Sequence, residues 1–458
     1  MAVDKAMIPS DIQMMDDETP DMELDIEAIT DEPIEITMDD GSIEVDFGDA
    51  GASLDMGMGA HDENIAEIID EGDLEELASD LVGAFISDRG SRKEWAMSYI
   101  KGLDLLGMKI EERSTPWQGA SGVYHPMMTE AVVRFQAQAM GELMPPAGPV
   151  RSKILGKITR EKFEQSQRVE SELNYLITEE MPDYRDEMEQ MLFKLPLAGS
   201  AFKKIYYDPL LERPVSLFVP AEDFVVSYGA SNLRTCPRFT HVMKKTAEEI
   251  KALQVNGFYR DIELPEPERD ITDIEEKYAQ MEGSEPVYDD DPRHTLLEMH
   301  VEITMPEPFD DPDGLARPYV VTIDKSSRII LSIRRNWYED DAKKKKRMHF
   351  VHYPYLPGMG FYGTGLIHMI GGLTKSATSI MRQLIDAGTL SNLPAGLKAR
   401  GLRIKGDNSP LMPGEFRDVD VPGGAIKDSI TFLPYKEPSQ VLYTLLNNVV
   451  EEGRRIGS

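Results

Sequence analysis

The segment Gly358–Gly363 has the glycine spacing GxGxxG, which is the pattern in this sequence that could most directly do chemistry. In dinucleotide-binding proteins such glycines directly follow a strand and open a helix, so that backbone amides point at a pyrophosphate. Here Pro354 and Pro357 separate the first glycine from the predicted strand at 350–353. No further strand carries an acidic residue at the usual distance. We therefore predict a flexible turn, and a nucleotide-binding enzyme is the alternative.

The strongest basic cluster is a run of five consecutive cations: Lys343, Lys344, Lys345, Lys346 and Arg347. Three acidic residues, Glu339, Asp340 and Asp341, come immediately before the run and offset part of its charge. A solvated loop explains this pattern. Contact with nucleic acid or with an acidic partner is the alternative, and a DNA-binding interaction protein would be the corresponding class.

No other residue pattern predicts a catalytic, cofactor-binding or metal-binding site. The sequence contains no HExxH, no Walker A loop and no GxSxG motif. Its single cysteine, Cys236, cannot form an internal disulfide or a cysteine-based zinc site. His349 and His352 lie three apart on a predicted strand, and hence on opposite faces. We predict that the protein is not an enzyme and has no cofactor.

The charge of the chain is concentrated at its N-terminus. The 458 residues carry 82 acidic and 49 basic side chains, for a formal net charge of −33. Residues 1–80 hold 27 of the acidic residues and a single cation, Lys5. Because such a segment buries little apolar surface, we predict a disordered acidic tail over 1–62, either solubilising or docking a basic partner. The sequence predicts no secretory signal and no membrane insertion.

Behind the tail, hydrophobic periodicity predicts an α+β body over 63–360. Helices are predicted at 63–81 with a break at Gly72, 89–106, 127–143, two between 160 and 197, and 246–253. Short strands are predicted at 201–207, 216–219, 224–227, 240–245, 296–304, 319–323 and 329–334. The acidic stretch 263–292 is predicted to be a loop.

The region 361–392 is predicted to contain a helix that is capped by Thr374 and runs from Lys375 to about Leu390. One side of this helix forms a polar stripe that includes Lys375, Thr378, Arg382 and Asp386. The opposite side is rich in small and apolar residues, including Ala377, Ile380, Leu384 and Ala387. This pattern is typical of a helix that packs closely beside another helix.

The next region, 393–437, is predicted to be a small β-module. Apolar and basic residues alternate over 397–405, and the phase changes at Gly401 as in a β-bulge. The alternation collects four cations: Lys398, Arg400, Arg403 and Lys405. Two further strands are predicted at 416–421 and 429–433. A last helix begins at Pro438-Ser439 and occupies 438–458, and we expect it either to be cut short or to pack against another subunit.

Several motifs within this plan are shared with a known family: Pro116-Trp117-Gln118-Gly119-Ala120-Ser121, the helix from Thr129 to Ala137, Phe361-Tyr362-Gly363-Thr364-Gly365-Leu366, Leu373-Thr374-Lys375, and the stretch from Asp386 to Asn392. Over about 90–458 the sequence resembles the portal, or head–tail connector, proteins of tailed bacteriophages, in the branch typical of short-tailed phages. The acidic tail lies outside the resemblance.

The resemblance implies a structural protein that forms a ring, usually of twelve subunits, at one vertex of the capsid. Phage DNA is packaged through the central channel by the terminase large subunit and later ejected by the same route. Head–tail adaptor and capsid or scaffolding proteins attach to the ring. Such a protein is assembled in the cytoplasm of the host bacterium and becomes part of the virion.

Carried over to this sequence, the resemblance makes 63–360 the wing and 361–392 the first stem helix region. It makes 393–437 the clip and 438–458 the start of the second stem helix. The polar stripe would then belong to the stem beside the DNA channel. The four cations of 397–405 would contact the motor, the adaptor or DNA.

Overall fold

The computed structural model describes most of the chain: residues 61–108, 112–208, 211–268, 270–284, 292–306, 308–309, 311–392, 433 and 435–457, together with short strands at 35–37, 43–45, 396–398, 403–404, 419–420 and 430–432. The chain divides into two compact units, Met1–Gly57 and Met58–Ser458.

In the first unit, β1 (Glu35–Thr37) and β2 (Ile43–Val45) form an antiparallel pair. The sequence predicts a disordered tail here and does not predict the pair. The other residues of 1–60 lie outside the described part of the chain. His61 and Asp62 were also assigned to the tail, but their carbonyl oxygens accept hydrogen bonds from the guanidinium groups of Arg335 and Arg334.

The helices described in the second unit are α1 (Glu71–Ser91), α2 (Lys93–Leu103), α3 (Met127–Leu143), α4 (Arg160–Tyr175), α5 (Tyr184–Ala198), α6 (Ala247–Val255), α7 (Asp273–Glu282), α8 (Leu366–Asn392) and α9 (Gln440–Ile456). One turn of 3₁₀ helix precedes α1, and one π-helical turn follows α4. None of the described helices is both long enough and apolar enough to cross a bilayer.

The described strands of the second unit are β3 (Ser200–Asp208), β4 (Arg213–Pro220), β5 (Phe224–Val226), β6 (Arg238–Thr246), β7 (Arg293–Ile303), β8 (Arg317–Asp324), β9 (Ile330–Arg335), β10 (Phe350–Pro354), β11 (Gly396–Lys398), β12 (Arg403–Ile404), β13 (Val419–Asp420) and β14 (Ile430–Phe432). They form a five-stranded sheet in the order β5-β6-β7-β8-β9 and a three-stranded sheet in the order β10-β3-β4. All of these pairings are antiparallel. Helices and antiparallel sheets without βαβ alternation confirm the predicted α+β class.

The five-stranded sheet is buried on both faces, since eight consecutive residues of its central strand β7, from His294 to Val301, are buried. On one face, Leu297 and Met299 of β7 pack in a cluster with Leu81 and Phe85 of α1. On the other face, Leu296 packs with residues of α6 and the chain that follows α6. The three-stranded sheet packs against α5 and α3 in one cluster, and a second cluster joins it to Phe224 and Phe239 of the five-stranded sheet.

The two longest elements after the sheets, α8 and α9, run antiparallel beside each other. Gly388, near the end of α8, lies next to Pro438, which precedes α9: a Cβ atom on Gly388 would lie 3.7 Å from Pro438 Cγ. At the other end of the pair, a Cβ atom on Gly457 would lie 3.5 Å from Ile370 Cδ1. Strands β11–β14, which lie between the two helices in the chain, form two antiparallel pairs, β11 with β14 and β12 with β13.

Three sequence predictions for single elements are wrong. Gly72 does not break a helix, because it lies in the first turn of α1, where its amide donates to the N-cap carboxylate of Asp70 at 3.1 Å. Thr374 is not an N-cap: it is buried in the interior of α8, and its Oγ1 donates to the Ile370 carbonyl at 2.9 Å. The predicted acidic loop contains α7, which begins with a capping box formed by Thr272 and Glu275.

Candidate functional site

The polar stripe of α8 lies against a loop of the same chain, residues 121–125. The backbone amide of Ser121 donates to Asp386 Oδ1 at 2.8 Å. The amide of His125 donates to Thr378 Oγ1 at 3.1 Å, and Thr378 is buried. The stripe therefore satisfies backbone donors of a loop that makes no regular ladder of its own.

Arg382 of the stripe satisfies acceptors of the same loop. Its Nε donates to the Val123 carbonyl at 2.8 Å and its Nη2 to the Gly122 carbonyl at 3.3 Å. The guanidinium also lies 4.5 Å from the centre of the Tyr124 ring. The remaining residue of the stripe, Lys375, is exposed.

A cleft of about 810 Å³ opens between α8 and the C-terminal part of α2 together with the chain that follows α2. Its cationic lining includes Lys101, Arg113, Lys375 and Arg382, and its acidic lining is Asp104 and Asp386. Gly102, Gly371 and Gly372 also line the cleft, which brings backbone close to the surface.

The predicted packing face of α8 points towards α9. Ile370 and Gly388 both approach α9 and are eighteen residues apart, so they share one direction on the helix at 100° per residue. By the same geometry Ala377 and Leu384 lie within about 40° of that direction. Ala377 is fully buried, and Ile380, Leu384 and Ala387 are partly buried.

Two of the four predicted clip cations lie on paired strands. Lys398 of β11 is opposite Ile430 of β14, and Arg403 of β12 is opposite Asp420 of β13. The other two lie outside the described residues, namely Arg400 and Lys405. The predicted strand 397–405 is thus described as two strands, one on each side of the region around Gly401.

The basic loop 343–347 is partly tied to the body of the protein. Lys344 Nζ lies 3.0 Å from Asp311 Oδ2, and Lys346 Nζ donates to the Cys236 carbonyl at 2.6 Å. Hydrogen bonds from Arg317 and from Lys344 lower the pKa of Asp311 far below its usual range.

The other cations of the basic loop lie closer to the solvent. The guanidinium of Arg347 lies 4.5 Å from the centre of the Tyr338 ring. The backbone amides of Lys343 and Lys345 donate to the carboxylate of Asp341 at 2.9 Å each, while both side chains are exposed. Asp341 therefore organises the turn that presents these two cations.

The backbone amides at the start of α8 are already occupied. Gly363 N donates to Ser200 Oγ at 2.8 Å, and Thr364 N donates to the Leu356 carbonyl at 2.8 Å. A nucleotide phosphate would have to displace these bonds, so the geometry does not favour the nucleotide alternative.

The glycines that precede α8 instead allow their backbone to pass in contact with the backbone at the end of α5. A Cβ atom on Gly365 would overlap the Leu197 carbonyl oxygen and lie 2.7 Å from Gly199 N. Phe361 is buried in the core, and the Tyr362 hydroxyl donates to the Phe224 carbonyl at 2.9 Å.

A buried ionic cluster joins the two sheets and was not predicted from the sequence. Glu298 of β7 contacts Lys204 Nζ of β3, and His300 Nε2 lies 3.1 Å from Glu298 Oε1. Burial would raise the pKa of Glu298, but Lys204 and His300 hold it well below its usual range. Burial and Lys204 lower the pKa of the neighbouring His241 to about 3. No sequence pattern indicates the cluster, because its members come from three strands, β3, β6 and β7, that are far apart in the sequence.

These side chains do not form a recognisable active site. In the described part of the chain no group of three or more histidine, cysteine or acidic residues could hold a metal ion. The cluster around Glu298 lies inside the sheet junction, where ion pairs perturb pKa values for structural reasons. The fold and the candidate site therefore define an α+β protein with two antiparallel helices and a small β-module at its C-terminal end.

A comparison with models of known protein families identifies the family of this protein. The family model described as phage SU10 portal protein matches residues 151–449, which is more than half of the chain. The chain belongs to this family and is a phage portal protein, as the resemblance indicated. The motifs at 116–137 that contributed to the resemblance lie before the matched range. A search of curated proteins gives no match.

Proposed function

We propose that this portal protein forms a closed homo-oligomeric ring, a dodecamer, at one vertex of the capsid. Phage DNA is packaged through the ring by the terminase large subunit and later ejected through it. The proposal rests on one observation: the family match, over 151–449, includes α8, the β-module and the first ten residues of α9, which runs antiparallel to α8. In this assignment α8 and α9 are the stem, strands β11–β14 belong to the clip, and residues 63–360 form the wing.

The distribution of charge suits a channel through which DNA slides. Each phosphate that a protein neutralises adds to affinity, so tight contacts would impede movement. The residues after position 80 include 55 acidic and 48 basic side chains, so this part of the chain is nearly neutral. Lys375 is the exposed cation of the polar stripe, because Thr378, Arg382 and Asp386 bind the 121–125 loop. We propose that Lys375 is the residue of the stripe that contacts passing DNA.

The clip cations Lys398, Arg400, Arg403 and Lys405 are proposed to contact the terminase motor during packaging and the head–tail adaptor afterwards. Charges at the rim of an interface mainly govern encounter and orientation. Capsid and scaffolding proteins would attach to the wing. The finished ring would belong to the virion, after assembly in the cytoplasm of the host bacterium.

A packaging assay with a clip variant tests this assignment. Replacing all four clip cations by Ala should leave rings intact in negative-stain images and reduce DNA packaging about tenfold, because electrostatic guidance is lost. The matched control replaces Lys343 and Lys345, two exposed cations of the wing, by Ala and should package normally. Normal packaging by the clip variant would show that the motor does not dock on these residues.

A further inference from the structure

Residues 149–180 form an arm that is held together by its own contacts. Asn174 of α4 pairs with the backbone of Val150: Val150 N donates to Asn174 Oδ1 at 2.9 Å, and Asn174 Nδ2 donates to the Val150 carbonyl at 3.1 Å. Further along the arm, the Ser152 hydroxyl donates to Glu170 Oε2 at 2.8 Å. The segment 150–152 therefore lies along α4 and fixes one side of the helix.

The helix of this arm leaves an apolar stripe uncovered. None of the residues of α4 is buried. Phe163, Val169 and Leu173 are 52%, 46% and 39% exposed and fall within an arc of about 120° on the helix. Leu155 and Ile158, which precede the helix, are 84% and 69% exposed. An amphipathic helix of this length is marginal alone in water, so the stripe requires a covering surface, which the described part of its own chain does not supply.

The arm and the start of the wing carry opposite charges. Residues 151–162 contain five cations and one acidic residue. Residues 62–80, which include the first half of α1, contain nine acidic residues and no Lys or Arg. Asp73 and Glu76 of α1 are exposed, as are Lys153 and Lys157 of the arm. A ring forms by repeating one contact between neighbouring copies, so each copy must carry both complementary surfaces. The basic arm and the acidic start of α1 are two such surfaces on one chain.

We propose that the arm 149–180 docks on the next copy of this chain in the ring. The apolar stripe of α4 would be buried in that contact, and the cations of 151–162 would face the acidic start of α1 in the neighbouring copy. The inference rests on the proposed ring, and it names the part of the chain that closes it. The buried stripe supplies affinity, and the charges fix the direction of the contact, so that each arm reaches the same neighbour.

Charge introduced into the stripe tests the apolar part of the contact. The double variant Phe163→Asp, Leu173→Asp should elute as a folded monomer in size-exclusion chromatography with light scattering, while the wild type elutes as a ring. Its circular dichroism and thermal midpoint should match those of a wild-type monomer fraction, because both side chains are exposed within the chain. The control is Val255→Asp on α6, since Val255 is 76% exposed outside the arm, and it should still form rings.

A charge reversal tests the identity of the partner surface. Lys153→Glu with Lys157→Glu should reduce ring yield at least several-fold, and adding Asp73→Lys with Glu76→Lys should restore it. Rings formed by both arm variants alongside wild-type rings would overturn the arm contact and leave the portal proposal standing. Ring loss that the second pair of reversals does not rescue would overturn α1 as the receiving surface. A wild-type protein that never forms rings would overturn the portal proposal together with this inference.

Discussion

Among single residues, Glu298 and the basic side chains around it have the clearest consequences for the stability of the native state. Glu298 is almost fully buried, and Lys204, His241 and His300 converge on it from β3, β6 and β7. Burial is the leading cause that lowers the pKa of both histidines. In the native state near neutral pH the cluster therefore holds one ion pair and neutral imidazoles. This arrangement makes the stability of the sheet junction dependent on pH.

We predict that acid destabilises the native state partly through His241. Its pKa falls from 6.5 to about 3 on folding, so at pH 5 the unfolded chain binds a proton that the native state does not. This difference costs about 2 kcal/mol at pH 5 and vanishes above pH 6.5. The variant His241→Phe should therefore lose about 2 kcal/mol less than the wild type between pH 7 and pH 5. Urea unfolding at the two pH values measures this difference.

Other groups of the protein do not change this comparison. Burial and Glu222 raise the pKa of Asp223 to about 7, so this carboxyl favours the native state as the pH falls below 7. That contribution is common to the wild type and to His241→Phe and cancels between them. Equal losses in the two proteins would show that His241 is protonated in the folded state.

A second prediction at this scale concerns the glycine segment before α8. Gly365→Ala should cost about 3 kcal/mol of unfolding free energy, because its Cβ would overlap the backbone of Leu197 and Gly199. Gly360→Ala should change stability by less than about 0.5 kcal/mol, because no atom lies within 4 Å of its Cβ position. Thermal unfolding of both variants measures the contrast. A tolerated Gly365→Ala would refute the backbone crossing as the reason for this glycine.

For secondary structure elements, sequence periodicity succeeded where one face of the element is apolar. It predicted α3 over Met127–Leu143 and the strands of both sheets to within a few residues. It failed at α7, although Thr272 and Glu275 form the same capping box that correctly indicated α6. The acidic composition around α7 outweighed the capping signal, because composition predicts a loop whenever few apolar residues are present.

The start of α8 could not be predicted because tertiary packing overrides local preference there. Gly371 and Gly372 lower helix propensity, and Thr374 is a good N-cap type, so the sequence favours a later start. In the structure Ile367 and Ile370 are buried and hold the first turns of α8 against α2 and α3. The docking of the polar stripe on the 121–125 loop was missed for a similar reason, since it joins residues about 260 positions apart.

The helix pair α8–α9 gives a prediction for the assembly. Leu384→Asp places a charge on the face of α8 that carries Ile370 and Gly388 and meets α9. An unpaired charge there should cost about 3 kcal/mol per subunit, so rings should fail to assemble. Gln383→Asp adds the same charge at an exposed position one residue earlier and should assemble normally. Negative-stain images of both variants decide the outcome, and rings of Leu384→Asp would refute the assignment of this face.

For the molecule as a whole, we propose that the body with its two antiparallel sheets is the wing and that the antiparallel pair α8–α9 is the stem. The family match establishes a phage portal protein. The ring is a proposal that explains two features of the single chain at once. It gives the apolar stripe of α4 a covering surface. It also gives the body, whose acidic and basic residues nearly balance, a role in conducting DNA without binding it tightly.

Electron microscopy of the purified full-length protein tests the central claim most directly. We expect closed rings of identical subunits, twelve in each, around a central hole wide enough for a DNA duplex, with the α8–α9 pairs lining its wall. Particles that are monomers or compact oligomers without a central hole, at concentrations where the protein is folded, would contradict it.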